Sequence, residues 1–209
     1  MKRILLGFAL VVVILVAVTV ARATRFQSRQ PQASAVAAEP LDTQALARRL
    51  AGALRFKTIS FQDSSQFDAR EFDALARYLR DSFPRLHAAL QPEKVNRHGL
   101  LYTWSGSDPS LAPLVLLAHQ DVVPIEPGTE GRWTEPPFGG RVAGGYVWGR
   151  GALDDKGPLV GICEAVEHVL AAGAKPRRTV YLAFGYDEEV GGRRGAARIA
   201  ELLAARNMR

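Results

Sequence analysis

Three short polar segments of this sequence contain the side chains best suited to metal binding or catalysis. His119-Gln120-Asp121 follows an apolar run, Asp154-Asp155 lies in the glycine-rich stretch 149–157, and Asp187-Glu188-Glu189 precedes Gly191-Gly192. Together they offer one imidazole and several carboxylates but no thiolate. That donor set suits Zn²⁺, with Mn²⁺ or Co²⁺ as substitutes. The three segments therefore predict a divalent-metal site.

The spacing of His119 and Asp121 favours a direct interaction between the imidazole and the carboxylate. In extended chain, residues two apart point to the same side, so the two side chains project together. The carboxylate can orient the imidazole of a metal ligand, or the pair can relay protons. The alternative is a hydrogen-bonded pair on the surface with no catalytic role.

The acidic segments also have plain structural interpretations. Asp154 or Asp155 can cap the helix that follows, a role compatible with metal binding. Asp187, Glu188 and Glu189 repel one another unless they are solvated or neutralised, so the segment is either an exposed loop or a cation site. Asp154 stands where the third glycine of a dinucleotide-binding loop belongs, which argues against that loop.

The surrounding pattern predicts an α/β domain that brings these segments together. We predict strands at 100–104, 114–118, 145–148 and 179–186, and helices at 46–54, 67–83, 159–172 and 196–205. Strands that alternate with helices are typical of layered α/β folds, in which ligands bind beyond the carboxyl ends of the strands. The strand at 114–118 is apolar on both faces, which predicts a central position in the sheet.

The N-terminus reads as a separate segment. An apolar run at 4–21 follows Lys2 and Arg3 and is long enough to span a bilayer. Ala21-Arg22-Ala23 resembles a signal-peptidase site, so a cleaved signal peptide is the alternative to an uncleaved anchor. We expect a signal anchor or signal peptide at 1–23, a linker at 24–40 and a catalytic body at 41–209 outside the cytoplasm.

Composition excludes several other classes of protein. The formal net charge is +6, but five basic residues and no acid lie in 1–38, which leaves 22 basic against 21 acidic residues elsewhere. That balance argues against nucleic-acid binding. The single Cys163 excludes a disulfide framework, and no G-x-S-x-G is present, which argues against a serine hydrolase.

Five blocks in order resemble one enzyme family. They are Gly106-Ser107-Asp108-Pro109-Ser110, the run from His119 to Pro124, Trp133 with Pro136-Pro137-Phe138, the run 149–157, and Asp187-Glu188-Glu189. The pattern resembles the dinuclear-zinc carboxypeptidase and aminoacylase family. It is most similar to the carboxypeptidase S and N-fatty-acyl-amino-acid synthase/hydrolase branch, and the similarity covers roughly residues 41–206.

The resemblance implies a three-layer α/β/α zinc-exopeptidase-like domain with two divalent metal ions, most readily Zn²⁺. His119 would bind one ion, Asp154 would bridge both, and Glu189 would bind the other. Asp121 would orient His119, and Glu188 would act as general base toward the attacking water. The implied substrates are small peptides with a free carboxylate or N-acyl amino acids.

Two departures from the family pattern affect these expectations. The family often has Met at the position of Asp155, whereas the named branch has Asp there, as this sequence does. We expect Asp155 to start a helix rather than bind metal. The family's catalytic domain also continues beyond Arg209, where it supplies another acidic ligand and a late His. We therefore expect the N-terminal part of a hydrolase. The alternative is a catalytically incomplete, membrane-anchored fragment that binds only metal or a partner.

Overall fold

The structure is a computed structural model that describes residues 1–28, 30, 34 and 40–206. It divides into two units, Met1–Pro40 and Leu41–Arg209. The first unit contains helix α1 (Lys2–Thr24), whose 23 residues correspond to about 35 Å of helix. That length and its apolar composition suit a membrane span or a signal sequence. Most of the predicted linker at 24–40 lies outside the described residues, so its boundaries stay predictions.

The second unit is built on a mixed β-sheet. Its strands are β1 (Glu93–Val95), β2 (Gly99–Trp104), β3 (Leu114–His119), β4 (Arg141–Ala143), β5 (Tyr146–Trp148) and β6 (Val180–Gly185). Four of them form one sheet in the order β1-β2-β6-β3, and β4 pairs with β5 in a separate hairpin. Strand β6 runs antiparallel to β2 and parallel to β3. The parallel pair brings the carboxyl ends of β3 and β6 to the same edge.

The prediction that the strand at 114–118 is central was wrong. In the described part of the chain β3 lies at the edge of the sheet, and the central position belongs to β6, all of whose residues are buried. Leu114 and Leu117 are 44% and 66% exposed. An apolar run predicts that both faces of a strand are buried, but it does not specify whether one or two neighbouring strands pair with it.

Helices cover both faces of the sheet. They are α2 (Thr43–Ala53), α3 (Ala69–Ser82), α4 (Pro84–Ala89), α5 (Lys156–Ala171) and α6 (Ala196–Ala205). Leu75, Leu159 and Val160 belong to a buried cluster on one face with Phe184, and Ile199 of α6 packs with residues of the opposite face. The predicted three-layer α/β/α architecture is confirmed. The prediction missed α4, which begins at Pro84 directly after α3 ends.

Candidate metal centre

The end of strand β3 is held rigidly, which fixes His119 and Asp121 on one side of the chain. The Gln120 side-chain amide donates hydrogen bonds to the carbonyl oxygens of Phe184 and Gly185 at the end of β6, at 3.2 and 3.1 Å. On the other side, Ile59 forms a parallel bridge with Val122. With extended chain held on both sides, residues 119 and 121 point together as their spacing predicts.

The two ring nitrogens of His119 have different surroundings. Nδ1 lies 3.0 Å from the Asp121 carbonyl oxygen and 3.3 Å from Asp121 Oδ1. Nε2 lies 2.9 Å from Asp154 Oδ1 and 3.7 Å from Glu188 Oε2. With Nδ1 donating to Asp121, Nε2 faces the other carboxylates and is the nitrogen available to a metal ion, the arrangement of a metal-ligating histidine.

The carboxylates around His119 decide its charge. Burial is the largest single influence and disfavours the imidazolium. The hydrogen bond and charge of Asp121, together with Asp154 and Asp155, outweigh burial and raise the pKa of His119 to about 9. Without a metal ion, the His119 ring therefore holds the second proton of an imidazolium at neutral pH. A divalent cation that binds Nε2 must displace that proton.

Asp121 connects the histidine to the acidic loop of β6. Its side chain is fully buried. Oδ1 accepts the backbone N–H of Glu188 and Oδ2 that of Glu189, both at 3.1 Å. Burial alone would raise the pKa of Asp121, but the hydrogen bonds from His119 and from these two N–H groups lower it. One ionised carboxylate thus aligns His119 and both glutamates.

The loop that carries Asp154 is anchored from both ends. Gly151 has φ +85°, and a Cβ there would lie 2.7 Å from Val122 Cγ1, so glycine permits the close approach. The buried Lys156 ammonium donates to the carbonyl oxygens of Ala53 and Phe56 at 3.2 and 2.6 Å. Burial lowers the pKa of Lys156 to about 7. These contacts fix the loop beside the end of β3.

Asp155 occupies the N-cap position of α5, the helix-start position expected for it, but its side chain makes no capping hydrogen bond. Asp155 Oδ2 instead accepts the backbone N–H of His119 at 3.0 Å. Burial raises the pKa of this carboxyl. Asp155 therefore supports the backbone of His119, a role that its position in the sequence did not reveal.

The structure brings the three expected ligands together. One ligand atom each from His119, Asp154 and Glu189 lie within 4.8 Å of one another. Zn²⁺ binds nitrogen and oxygen at about 2.0–2.2 Å in tetrahedral geometry, so two of its ligand atoms stand about 3.5 Å apart, below the 4.8 Å limit of this group. Burial and then the Asp154 charge raise the pKa of Glu189. The donor set and spacing both fit a divalent cation.

The acidic triplet has three different environments. The Glu188 side chain is 58% exposed and faces His119, while Glu189 offers a carboxylate oxygen within 4.8 Å of ligand atoms of His119 and Asp154. Asp187 is 2% exposed and turns away to accept backbone N–H groups of its own loop. The resemblance to the family gave Glu188 and Glu189 different roles, but nothing in the sequence predicted the structural role of Asp187. Lys156 was also missed, because a lysine beside two aspartates is normally solvated.

Comparison with known proteins gives a consistent result. The family model described as peptidase family M20/M25/M40 matches residues 115–209. A carboxypeptidase S-like protein of Dictyostelium discoideum is 40% identical over 95% of this chain and 38% of its own length. Carboxypeptidase S of Saccharomyces cerevisiae is 44% identical over 76% of the chain and 29% of its length. An N-fatty-acyl-amino acid synthase/hydrolase of Xenopus tropicalis is 39% identical over 78% and 32%.

The same architecture occurs in solved structures. Human carnosine dipeptidase 1 superposes with a TM-score of 0.61 at 23% identity, covering 77% of this chain and 34% of that protein. An M20 family metallo-carboxypeptidase from Sulfolobus solfataricus gives 0.59 at 21% identity, with coverage of 78% and 35%. The chain thus spans well under half the length of these proteins. Residues 115–209 match peptidase family M20/M25/M40, which confirms the resemblance predicted from the motifs.

Proposed function

We propose that this chain carries the metal-binding part of a hydrolase that cleaves amide bonds, of the carboxypeptidase or N-acyl-amino-acid deacylase type. The observation that supports this most directly is the meeting of His119, Asp154 and Glu189 within 4.8 Å, with Glu188 beside them. The family relationship supports the same reaction class.

The proposed centre takes two divalent ions, most readily Zn²⁺, with Mn²⁺ or Co²⁺ as substitutes. His119 would hold one ion, Glu189 would hold the other, and Asp154 would bridge the two. Asp154 suits this role because its side chain is 76% exposed, so its oxygens are accessible to a ligand. When bound, the ions supply Lewis-acid polarisation of the substrate carbonyl and of the attacking water.

Glu188 acts as the general base in this proposal. Its side chain is 58% exposed and its carboxylate lies 3.7 Å from His119 Nε2, next to the proposed ligands. It takes the proton from the attacking water and delivers it to the leaving amine. Asp121 holds the Glu188 backbone and the His119 ring, so base and ligand keep a constant separation.

The substrates proposed are small peptides with a free carboxylate or N-acyl amino acids, by relation to the matched enzymes. We propose that α1 serves as a membrane anchor or, if cleaved, as a signal peptide. In either case the catalytic unit lies outside the cytoplasm.

A second candidate is a catalytically incomplete fragment, anchored to the membrane, that binds metal or a partner without turnover. A specific observation favours it. The described residues bring three ligands together, whereas two ions of zinc in tetrahedral sites use more donors than these supply.

Metal analysis and one matched pair of variants test both candidates. The full chain, purified in detergent, is dialysed against Zn²⁺, Mn²⁺ or Co²⁺, its metal content is measured, and hydrolysis of N-acyl amino acids and dipeptides is assayed. Glu188→Gln should retain the metal and lose hydrolysis, whereas Glu189→Gln should bind metal more weakly. Metal retention without hydrolysis by the parent chain would support the incomplete fragment. Failure to retain any of the three ions would refute the metal centre.

A further inference from the structure

The loop between β6 and α6 carries both glutamates of the proposed metal centre and is closed by a buried carboxylate. Asp187 Oδ2 accepts the backbone N–H of Arg194 at 2.8 Å, and Oδ1 accepts that of Gly195 at 2.7 Å. The Asp187 side chain is 3% exposed. One side chain at the start of the loop therefore binds the backbone at its end.

The backbone of this loop is shaped around that closure. The Asp187 carbonyl oxygen accepts the N–H of Gly192 at 2.7 Å, and Gly191 and Gly192 adopt φ of +100° and +65°. A Cβ at Gly195 would lie 2.8 Å from Asp187 Oδ1 and 2.7 Å from the Tyr186 nitrogen. Only glycine at 195 lets the chain approach the carboxylate so closely.

The closed loop has a second fixed point on the neighbouring hairpin. The side-chain amide of Asn96, in the turn between β1 and β2, donates to the Arg194 carbonyl oxygen at 2.9 Å. At the opposite end, the N–H groups of Glu188 and Glu189 donate to Asp121. Whether these two N–H groups reach Asp121 depends on the path of the loop from β6 to α6, and the hydrogen bonds of Asp187 fix that path.

We propose that Asp187 is a positioning residue of the metal centre. Its carboxylate closes the loop 187–195 and so presents Glu188 and Glu189 to Asp121 and His119. This inference rests on the proposed function, because it assigns Asp187 a role toward the metal ligands. Asp187 does not bind metal itself, since both its oxygens are committed to backbone N–H groups.

Two variants perturb the closure in different ways. Asp187→Asn replaces one acceptor oxygen by an NH₂ group, so one of the two backbone N–H groups loses its partner. Gly195→Ala leaves every charge in place but sets a methyl group against Asp187 Oδ1. Asp108→Asn is the matched control, because the Asp108 carboxylate also accepts a backbone N–H, that of Ser110 at 3.1 Å, in a loop without proposed ligands.

The test combines metal affinity, Co²⁺ absorption spectra and amide hydrogen exchange of the full chain in detergent. Both Asp187→Asn and Gly195→Ala should weaken metal binding about 10- to 100-fold, as loss of a supporting hydrogen bond does at metal sites. Both should alter the visible Co²⁺ spectrum and speed exchange in 187–195 while exchange in β6 stays slow. Asp108→Asn should match the parent chain in all three measurements.

The outcomes separate this inference from the proposed function. Faster exchange of the loop with unchanged affinity and spectrum would overturn the positioning role, as would parental behaviour of both variants. If the parent chain bound no metal, the proposed function would fail. Exchange in the metal-free chain would then still decide whether Asp187 closes the loop, with parental rates in both variants overturning the closure.

Discussion

Two histidines of this chain are almost equally buried and yet differ in the direction of their pKa shift. His119 is 8% exposed and His87 is 7% exposed. The carboxylates around His119 outweigh its burial and raise its pKa to about 9. His87 contacts the Phe83 carbonyl oxygen at 2.9 Å and the Tyr102 hydroxyl at 3.0 Å, and burial lowers its pKa. Neighbouring charge, rather than burial, distinguishes the two sites.

The surroundings of the two rings explain why only one is a candidate for metal binding. Near His87, the Glu167 carboxylate accepts the backbone N–H groups of Arg85 and Leu86, and the Arg85 side chain lies 3.5 Å away. That negative charge is compensated within the fold. Around His119, four carboxylates lie within 4.0 Å of the ring, and among the described residues the imidazole is their only cationic partner at that distance. Such uncompensated charge favours a divalent cation.

The largest expected effect is the loss of metal affinity on removing the histidine of the charged site. His119→Ala should weaken Zn²⁺ binding by more than about 100-fold, since a ligand contributes more than its supporting partners. His87→Gln is the matched control and should bind like the parent chain. Competition with a chromophoric chelator measures both. Equal weakening by the two variants would contradict the comparison.

A smaller loss is expected from the carboxylate behind the ring. Asp121→Asn should weaken metal binding about 10- to 100-fold, because one oxygen of Asp121 is replaced by an NH₂ group that cannot accept a hydrogen bond and the negative charge beside the His119 ring is lost. The same titration with chelator competition measures it. Since Asp63 is exposed and also accepts a backbone N–H, that of Ser65 at 2.9 Å, Asp63→Asn serves as the control. Parental affinity in Asp121→Asn would refute its role in aligning the ligands.

The smallest effect is a difference in the pH dependence of stability of the metal-free chain. The pKa of His87 is lowered by folding, so its unfolded form binds more protons and stability falls as pH drops below about 6.5. The pKa of His119 is raised to about 9, so its contribution is fully present below about 6.5 and is lost as pH rises through 9. Each slope is at most about 1.4 kcal/mol per pH unit.

Urea unfolding with EDTA present, from pH 5 to pH 9.5, measures these slopes. His87→Gln should flatten the acidic side of the profile. On the alkaline side Lys156, whose pKa is lowered to about 7, contributes a rise in stability with pH in both chains, so His119→Gln should make stability rise more with pH there than in the parent chain. If both variants changed the same side, the opposite pKa directions of the two rings would be wrong.

The pattern of the sequence predicted the strand–helix alternation and the i, i+2 pairing of His119 with Asp121, because both depend on local periodicity. It also predicted which residues would meet at the carboxyl edge of the sheet. It did not predict the edge position of β3, which depends on the pairing of distant strands. Nor did it predict that Asp155 would bind the His119 backbone instead of capping α5.

The residue types and their order along the chain determined by themselves the donor set, the α/β class and the family, since these follow from composition and short motifs. Only the tertiary structure decided that Asp187 is a buried carboxylate that closes its loop, whereas the resemblance had already given Glu188 and Glu189 different roles. It also decided that Lys156 is buried against Ala53 and Phe56. These assignments depend on contacts between residues far apart in the chain, which set burial and charge compensation and leave no local signal.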